Sequence, residues 1–276
     1  MIRILNAEIY KLKKSKSFYI CSIVMICFVL LLYGLLYLAD SIQKGTVENG
    51  TGGFFFVANG EGAKGGATIF ESFSLMEALR QIFAGSMLSC MLAIFVSIFV
   101  TGEYGSGMIK NVVGKGCSRS AIYLSKLFMA QVASLCIAFA GILPTLLLGR
   151  VFLGAQAFDG GFWHDFMIYT GLQLAIMAAT SAIFMLVSEV CRTPAAGISI
   201  NIGMIIFSLL FINGLDVLFA KNGFSLSDIW PIGQTERLPL NGFTSGMVIQ
   251  NLLVAAAWFL AAASFGVWHF SKTDVK

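Results

Sequence analysis

Six long apolar runs divide the chain, separated by stretches rich in glycine, charge or turn residues. The runs cover about residues 18–39, 82–101, 127–149, 166–188, 195–215 and 247–270. At about 1.5 Å of rise per residue, each is long enough as a helix to cross a hydrocarbon layer of roughly 30 Å. The pattern predicts an all-α integral membrane protein with six transmembrane helices. Pro144, near the end of the third run, is expected to loosen or kink that helix. A cleaved signal peptide has an apolar core of only about 7–15 residues before a small-residue cleavage site. The first run is longer, and Leu38-Ala39-Asp40 is a poor site, so the run reads as an uncleaved anchor.

The intervening segments carry patterns of their own. Within residues 1–17, Ile2, Leu5, Ile9 and Leu12 recur at helical spacing, while Arg3, Lys11, Lys13, Lys14 and Lys16 crowd the other positions. That is the pattern of an amphipathic helix lying in the membrane interface against anionic lipid. Residues 40–80 are acidic and glycine-rich and predict a flexible external loop, closing with a short helix at about 69–79. Residues 102–126 form a basic connection. Residues 216–246 hold Phe219, Phe224, Ile229, Trp230, Pro231 and Leu238, too apolar for a free loop and too short for two spans. Short re-entrant or surface helices fit that stretch. No repeat links the two halves, which weakens inverted-repeat carrier architectures. The whole of 1–276 reads as a single transmembrane domain.

Composition agrees with the pattern. The chain is 58% hydrophobic and 12% charged, whereas a soluble domain has roughly a quarter of its residues charged. Most of its surface must therefore face lipid. With both termini on the cytoplasmic side, the inner segments carry Arg3, Lys11, Lys13, Lys14, Lys16, Lys110, Lys115, Arg119, Lys126, Arg192, Lys272 and Lys276. These outnumber the outer Lys44, Lys64, Arg80, Arg150, Lys221 and Arg237 two to one. Basic loops stay on the cytoplasmic side, so the bias predicts a multi-pass protein with both ends inside. The six cysteines fall in spans or inner segments, so no disulfide framework is expected. There is no CxxC pair, and His164 and His269 stand far apart, which argues against a zinc site.

The connection from Glu103 to Lys126 reads EYGSGMIKNVVGKGCSRSAIYLSK. Glycines open it, Met108, Ile109, Val112 and Val113 form a short apolar-periodic piece, and Gly114 and Gly116 break it. Ser118 can then cap a helix running through Ile122, Leu124 and Leu127 into the membrane. The result is a short helix at the membrane surface, suited to docking a cytosolic partner. Glu103, Tyr104, Gly107, Lys110, Asn111, Ser118, Arg119, Tyr123 and Lys126 together resemble the loop after the second span of type-2 ABC transporter permeases. These are the membrane subunits of bacterial exporters whose ATPase is a separate chain. Met108 departs from the family, which commonly has Thr there.

The resemblance implies a permease in the bacterial cytoplasmic membrane, paired with a second permease chain in a homo- or heterodimer and with two ABC ATPase subunits. Glu103, Tyr104, Gly107, Lys110, Asn111, Ser118 and Arg119 would couple ATPase to spans, with the N-terminal interfacial helix forming part of the same groove. The first and fifth spans would form the dimer seam. The cargo would be amphipathic: a drug, an antimicrobial peptide such as a lantibiotic, or a lipid.

The chain itself shows no catalytic motif. Gly114-Lys115-Gly116 lacks the Ser or Thr and the earlier glycine of a phosphate-binding loop. ATP and Mg would be bound by the partner, and no cofactor is expected here. HExxH is absent, and Gly105-Ser106-Gly107 has no histidine near it in sequence. No nucleic acid is expected as a partner. The polar residues inside the runs are Gln131, Gln173, Asn201, Asn213, Gln250 and Asn251. An amide is costly in lipid, so each should face another helix, as an interhelical tie, or line a translocation path. No intramembrane cluster of acids or lysines suggests a proton or sodium relay, which disfavours the alternative of a stand-alone carrier. A scaffold would have no need of the basic loop's motif.

Overall fold

The computed structural model describes residues 2–49, 74–84, 86–105, 118–152, 161–219 and 225–272. Among them there is no strand. Six helices are long and apolar enough to cross a membrane. The helices are α1 (Ile2–Lys14), α2 (Lys16–Asn49), α3 (Leu75–Phe83), α4 (Met87–Gly105), α5 (Arg119–Phe152), α6 (Phe162–Cys191), α7 (Pro194–Phe207), α8 (Asn213–Phe219), α9 (Pro231–Arg237) and α10 (Ser245–Lys272). A π-helical stretch, Ser208–Ile212, joins α7 to α8, and a 3-10 turn, Leu226–Asp228, precedes α9.

Helix ends differ from the sequence expectation in four places, each for a local reason. The first span continues as helix to Asn49, because Asp40 to Asn49 contain no proline and one glycine, Gly45. The second run does not begin at residue 82. Ile82 and Phe83 belong to α3, and the chain turns before α4 through Ser86, which adopts a left-handed φ of 57°. α3 opens with a reciprocal cap: Glu77 N–H donates to Ser74 Oγ at 3.2 Å and Ser74 N–H donates to Glu77 Oε2 at 3.3 Å. The basic connection is shorter than 102–126. Helix α4 runs to Gly105, and α5 starts at Arg119, directly after Ser118, whose carbonyl accepts from Ile122 N–H at 3.2 Å. Finally, the fifth span changes its winding, passing from α7 through the π stretch into α8 without a break. Most of residues 40–80, the piece Met108–Val113 and the breaks Gly114 and Gly116 lie outside the described residues.

Pro144 sits inside α5, which continues past it. Beyond the proline the backbone is supported from the side. Tyr33 Oη donates to the Thr145 carbonyl at 3.1 Å, and Thr145 Oγ1 donates to the Gly141 carbonyl at 2.9 Å. Side-chain hydroxyls and neighbouring helices commonly steady a proline helix in this way.

Helix α6 is the centre of the bundle, packed by α10, α4, α7 and α5. Its buried residues include Tyr169, Ile176, Ala179, Ala182, Phe184 and Met185. α2, α7 and α10 turn most of their surface outward, presenting Ile20, Ile23, Leu31, Leu210, Phe211, Leu253 and Leu260. Apolar side chains facing out along whole spans are what lipid contact requires.

The segment before the last span folds inward. Pro231, Ile232, Gly233, Gln234 and Thr235 of α9 are buried. Gln173 Nε2, about 17 Å along α6 from its start, donates to the Thr235 carbonyl at 3.1 Å. Trp258 Nε1, well inside α10, donates to the Ile229 carbonyl at 2.7 Å. Gly233 approaches the backbone of Ser227 so closely that a Cβ would lie 2.9 Å from its Cα. The segment is therefore packed against α6 and α10 and is not a free loop.

Candidate functional site

One end of the bundle gathers most of the buried charge among the described residues. α1 reaches this end with Glu8 and Leu12 buried, Leu5 and Ile9 packed against the core, and Tyr10, Lys13 and Lys14 exposed. α4 ends here with Glu103 and Tyr104, α5 begins here with Arg119 and Lys126, and α6 ends here with Glu189. Arg192 closes α6 in a left-handed conformation, φ 57°, a position where glycine is usual. Thr193 is extended before Pro194 starts α7, as a residue preceding proline prefers.

These groups are paired. Glu103 accepts ion pairs from both Lys11 and Lys126. Lys11 also reaches Glu8, one turn away on the same face of α1, at 3.3 Å. Glu8, Lys11, Glu103 and Lys126 thus make a charge-neutral quartet across α1, α4 and α5. Burial pushes the Lys11 ammonium below its ordinary range; Glu8 pulls it back and the positive Lys126 adds to the depression. The Tyr104 hydroxyl donates to the Glu189 carboxylate. The Tyr104 ring meets two cations, with Lys126 Nζ and the Arg192 guanidinium each 5.7 Å from its centroid. Arg119 Nη1 donates to the Ser271 carbonyl at 3.2 Å, tying the first residue of α5 to the end of α10.

Of the coupling residues expected from sequence, the structure brings Glu103 and Tyr104 into this cluster and places Arg119 beside it. Ser118 is exposed at the start of α5. Gly107, Lys110 and Asn111 lie outside the described residues. Sequence reasoning had no role for Glu8, Glu189 or Arg192. A signal for Glu8 existed: it is the lone acid of the basic N-terminal segment, and it shares a helical face with Leu5 and Leu12.

The intramembrane amides separate into two groups. Gln131 Nε2 donates to the Ala178 carbonyl at 3.2 Å, and Ser181 Oγ donates to Gln131 Oε1 at 3.0 Å, joining α5 to α6. Asn201 Nδ2 lies within hydrogen-bond reach of Ser97 Oγ (2.9 Å), Ser188 Oγ (3.0 Å) and the Phe184 carbonyl (3.2 Å), joining α4, α6 and α7. Gln173 joins α6 to α9. All three tie helices together. Gln250 and Asn251 differ: with Asp228, Gln234, Arg237 and Met247 they line a shallow cleft between α9 and α10. Asn251 Nδ2 bonds only within its own helix among the described residues, to the Met247 carbonyl at 2.8 Å. Among the described residues, no group of acids, histidines and cysteines could hold a metal ion.

Six long apolar helices packed into one bundle, with buried charges paired at one end, are the architecture of a multi-pass membrane protein. The sequence profile described as ABC-2 family transporter protein matches residues 4–208. The chain belongs to that family of ABC transporter permeases, membrane components that carry no catalysis themselves and generally work with an ABC ATPase. The matched span covers nearly all of α1, the loop sequence and its stems, and α6, leaving only α10 of the helices at the charged end outside it. No curated protein and no solved structure gives a significant match to the chain.

Proposed function

We propose that the chain is the membrane-spanning subunit of an ATP-driven exporter in the bacterial cytoplasmic membrane, with both termini cytoplasmic. Two ATPase subunits and a second permease chain complete the assembly. The cargo is amphipathic: an antimicrobial peptide, a drug or a lipid. One observation carries this reading. The two stems of the basic loop and the amphipathic helix α1 converge on one cluster, Glu103 with Lys11 and Lys126. A pushing partner at that end would therefore engage α4, α5 and α1 together. The exposed Lys13 and Lys14 of α1 and the basic loop give this end the charge expected of a cytoplasmic face.

The test is affinity purification of the tagged chain from its native membrane in mild detergent, with identification of the co-purifying proteins. A stoichiometric chain carrying a Walker A motif, lost when residues 106–117 are replaced by a Gly-Ser linker, is the expected result. Recovery of the chain alone, under conditions that keep a known ABC complex together, would transfer the reading to a stand-alone carrier or scaffold.

A further inference from the structure

The quartet does something that the loop alone cannot. A lysine near the end of a membrane span ordinarily snorkels, laying its stem on apolar surface and its ammonium in water. Lys126 does not. Its side chain is 2% exposed, and its ammonium turns inward onto Glu103. Glu103 in turn is nearly buried and shared with Lys11 of α1. Desolvating four charges is costly, and their mutual attraction offsets the cost only if all four hold their places. Such an arrangement adds little net stability over an apolar packing of equal volume. It strongly penalises any geometry in which one member moves away, because the remaining charges are then left buried and unpaired.

The apolar face of α1 would hold it to the bundle without help: Leu5, Ile9 and Leu12 pack against the core, and sliding along that face changes their burial little. The ion pairs to Lys11 are what set one register of α1 against α4 and α5. A second connection leaves from the neighbouring residue. Tyr104 follows Glu103 directly, donates to Glu189, and stands between Lys126 and Arg192. The quartet is therefore joined through Tyr104 to the last turn of α6, the central helix, and to the turn into α7.

We propose that Glu8, Lys11, Glu103 and Lys126 are positioning residues that lock α1 and both stems of the loop into one lever, with Tyr104 and Glu189 handing its displacement to α6. This rests on the permease reading above and deepens it by naming which groups transmit force. None of the six touches cargo or nucleotide. Their role is to make the three helix ends move as a body.

The experiment uses the complex as purified with its ATPase, reconstituted in lipid nanodiscs. The six native cysteines are replaced, and spin labels are attached at the far end of the bundle, at Val151 of α5 and Trp163 of α6, both at least half exposed. The inter-label distance is measured without nucleotide and after trapping with ATP and vanadate. The intact quartet should show a shift in distance on trapping, and Lys126→Arg, which keeps the charge, should keep it. Lys126→Gln and Lys11→Gln should lose the shift while the ATPase remains bound and hydrolyses ATP. A purely structural role would lower ATPase binding, hydrolysis and the shift together, or none of them. If Lys126→Gln prevents assembly, Lys11→Gln decides, since Lys11 is part-exposed and its loss is borne more easily. A full shift in Lys11→Gln and Glu8→Gln would overturn the lever while leaving the permease reading intact. Absence of any ATPase from the wild-type preparation would instead overturn the permease reading.

Discussion

Gly266 of α10 lies against Tyr123 of α5, where a Cβ would collide with the phenol oxygen and ring. Only a residue without a side chain lets these two helices approach so closely. Gly266→Ala should cost about 1–3 kcal/mol by overpacking, read as a lower melting temperature of the purified protein in detergent. The Tyr123 hydroxyl is buried without a hydrogen-bond partner among the described residues. Tyr123→Phe should therefore be close to neutral alone and should recover part of the loss in the double variant. Equal melting of Gly266→Ala and wild type would show that the helices can separate freely at this point. The last span also carries small residues at Ala255, Ala256, Ala257, Ala261, Ala262 and Ala263. Of these the structure buries Ala255 and Ala262, and the closest approach falls instead on Gly266.

At the scale of elements, the hairpin before the last span is held, among the described residues, by bonds with identifiable partners. Asp216 of α8 accepts from the backbone N–H of Leu226 at 2.6 Å and of Ser227 at 3.1 Å, and pairs with Arg237 at 2.9 Å. Arg80 of α3 donates to the Glu236 carbonyl at 3.1 Å. Gln173 and Trp258 hold the deep end. Gln173→Leu would leave the buried Thr235 carbonyl without that bond, at a cost of about 1–2 kcal/mol. That is enough to raise the opening of the hairpin by roughly an order of magnitude, because local units open at less than the global free energy. A cysteine at Ile232 should then react faster with a water-soluble maleimide in Gln173→Leu than in wild type. Unchanged labelling would show that apolar contact, not the amide, holds α9 in place. The π stretch in the fifth span is where such helices most often bend or serve function, and it leads directly into Asp216 and the clasp.

For the molecule as a whole, the ion pairs of α1 and the bond from Arg119 to Ser271 put residues near both termini at one end of the bundle. Trp163, at the start of α6, stands at the other. Aromatic side chains mark both levels: Phe162, Trp163 and Phe166 cluster at one end, and Trp268 at the other, with Lys272 Nζ 4.7 Å from its ring. Such belts sit at the lipid headgroups. Single cysteines at Lys13 and Ser271 should be labelled by an impermeant reagent from the same side of sealed vesicles, and one at Trp163 from the opposite side. Labelling of Lys13 and Ser271 from opposite sides would contradict the six-span bundle. The same vesicles, sealed in known orientation, would give the side, which is proposed to be cytoplasmic.

Much of this was legible along the chain, because a membrane makes hydrophobicity and length nearly sufficient. Any span must satisfy its own backbone, so an apolar run of adequate length becomes a helix whatever its neighbours are. The runs and the amphipathic α1 therefore followed from sequence, as did the need for Gln131, Gln173 and Asn201 to find partners. Sequence could not pair the charges. Glu8, Glu103, Lys126 and Glu189 are separated along the chain, and no local pattern says which charge each will meet. Whether a charge points to water or to another charge depends on how helices pack side by side, and that is a property of three-dimensional contact with no local pattern. The same holds for the hairpin. Its composition excluded a free loop, but only the notch between α6 and α10, with Gln173 and Trp258 offering donors inside it, decided that the segment turns inward.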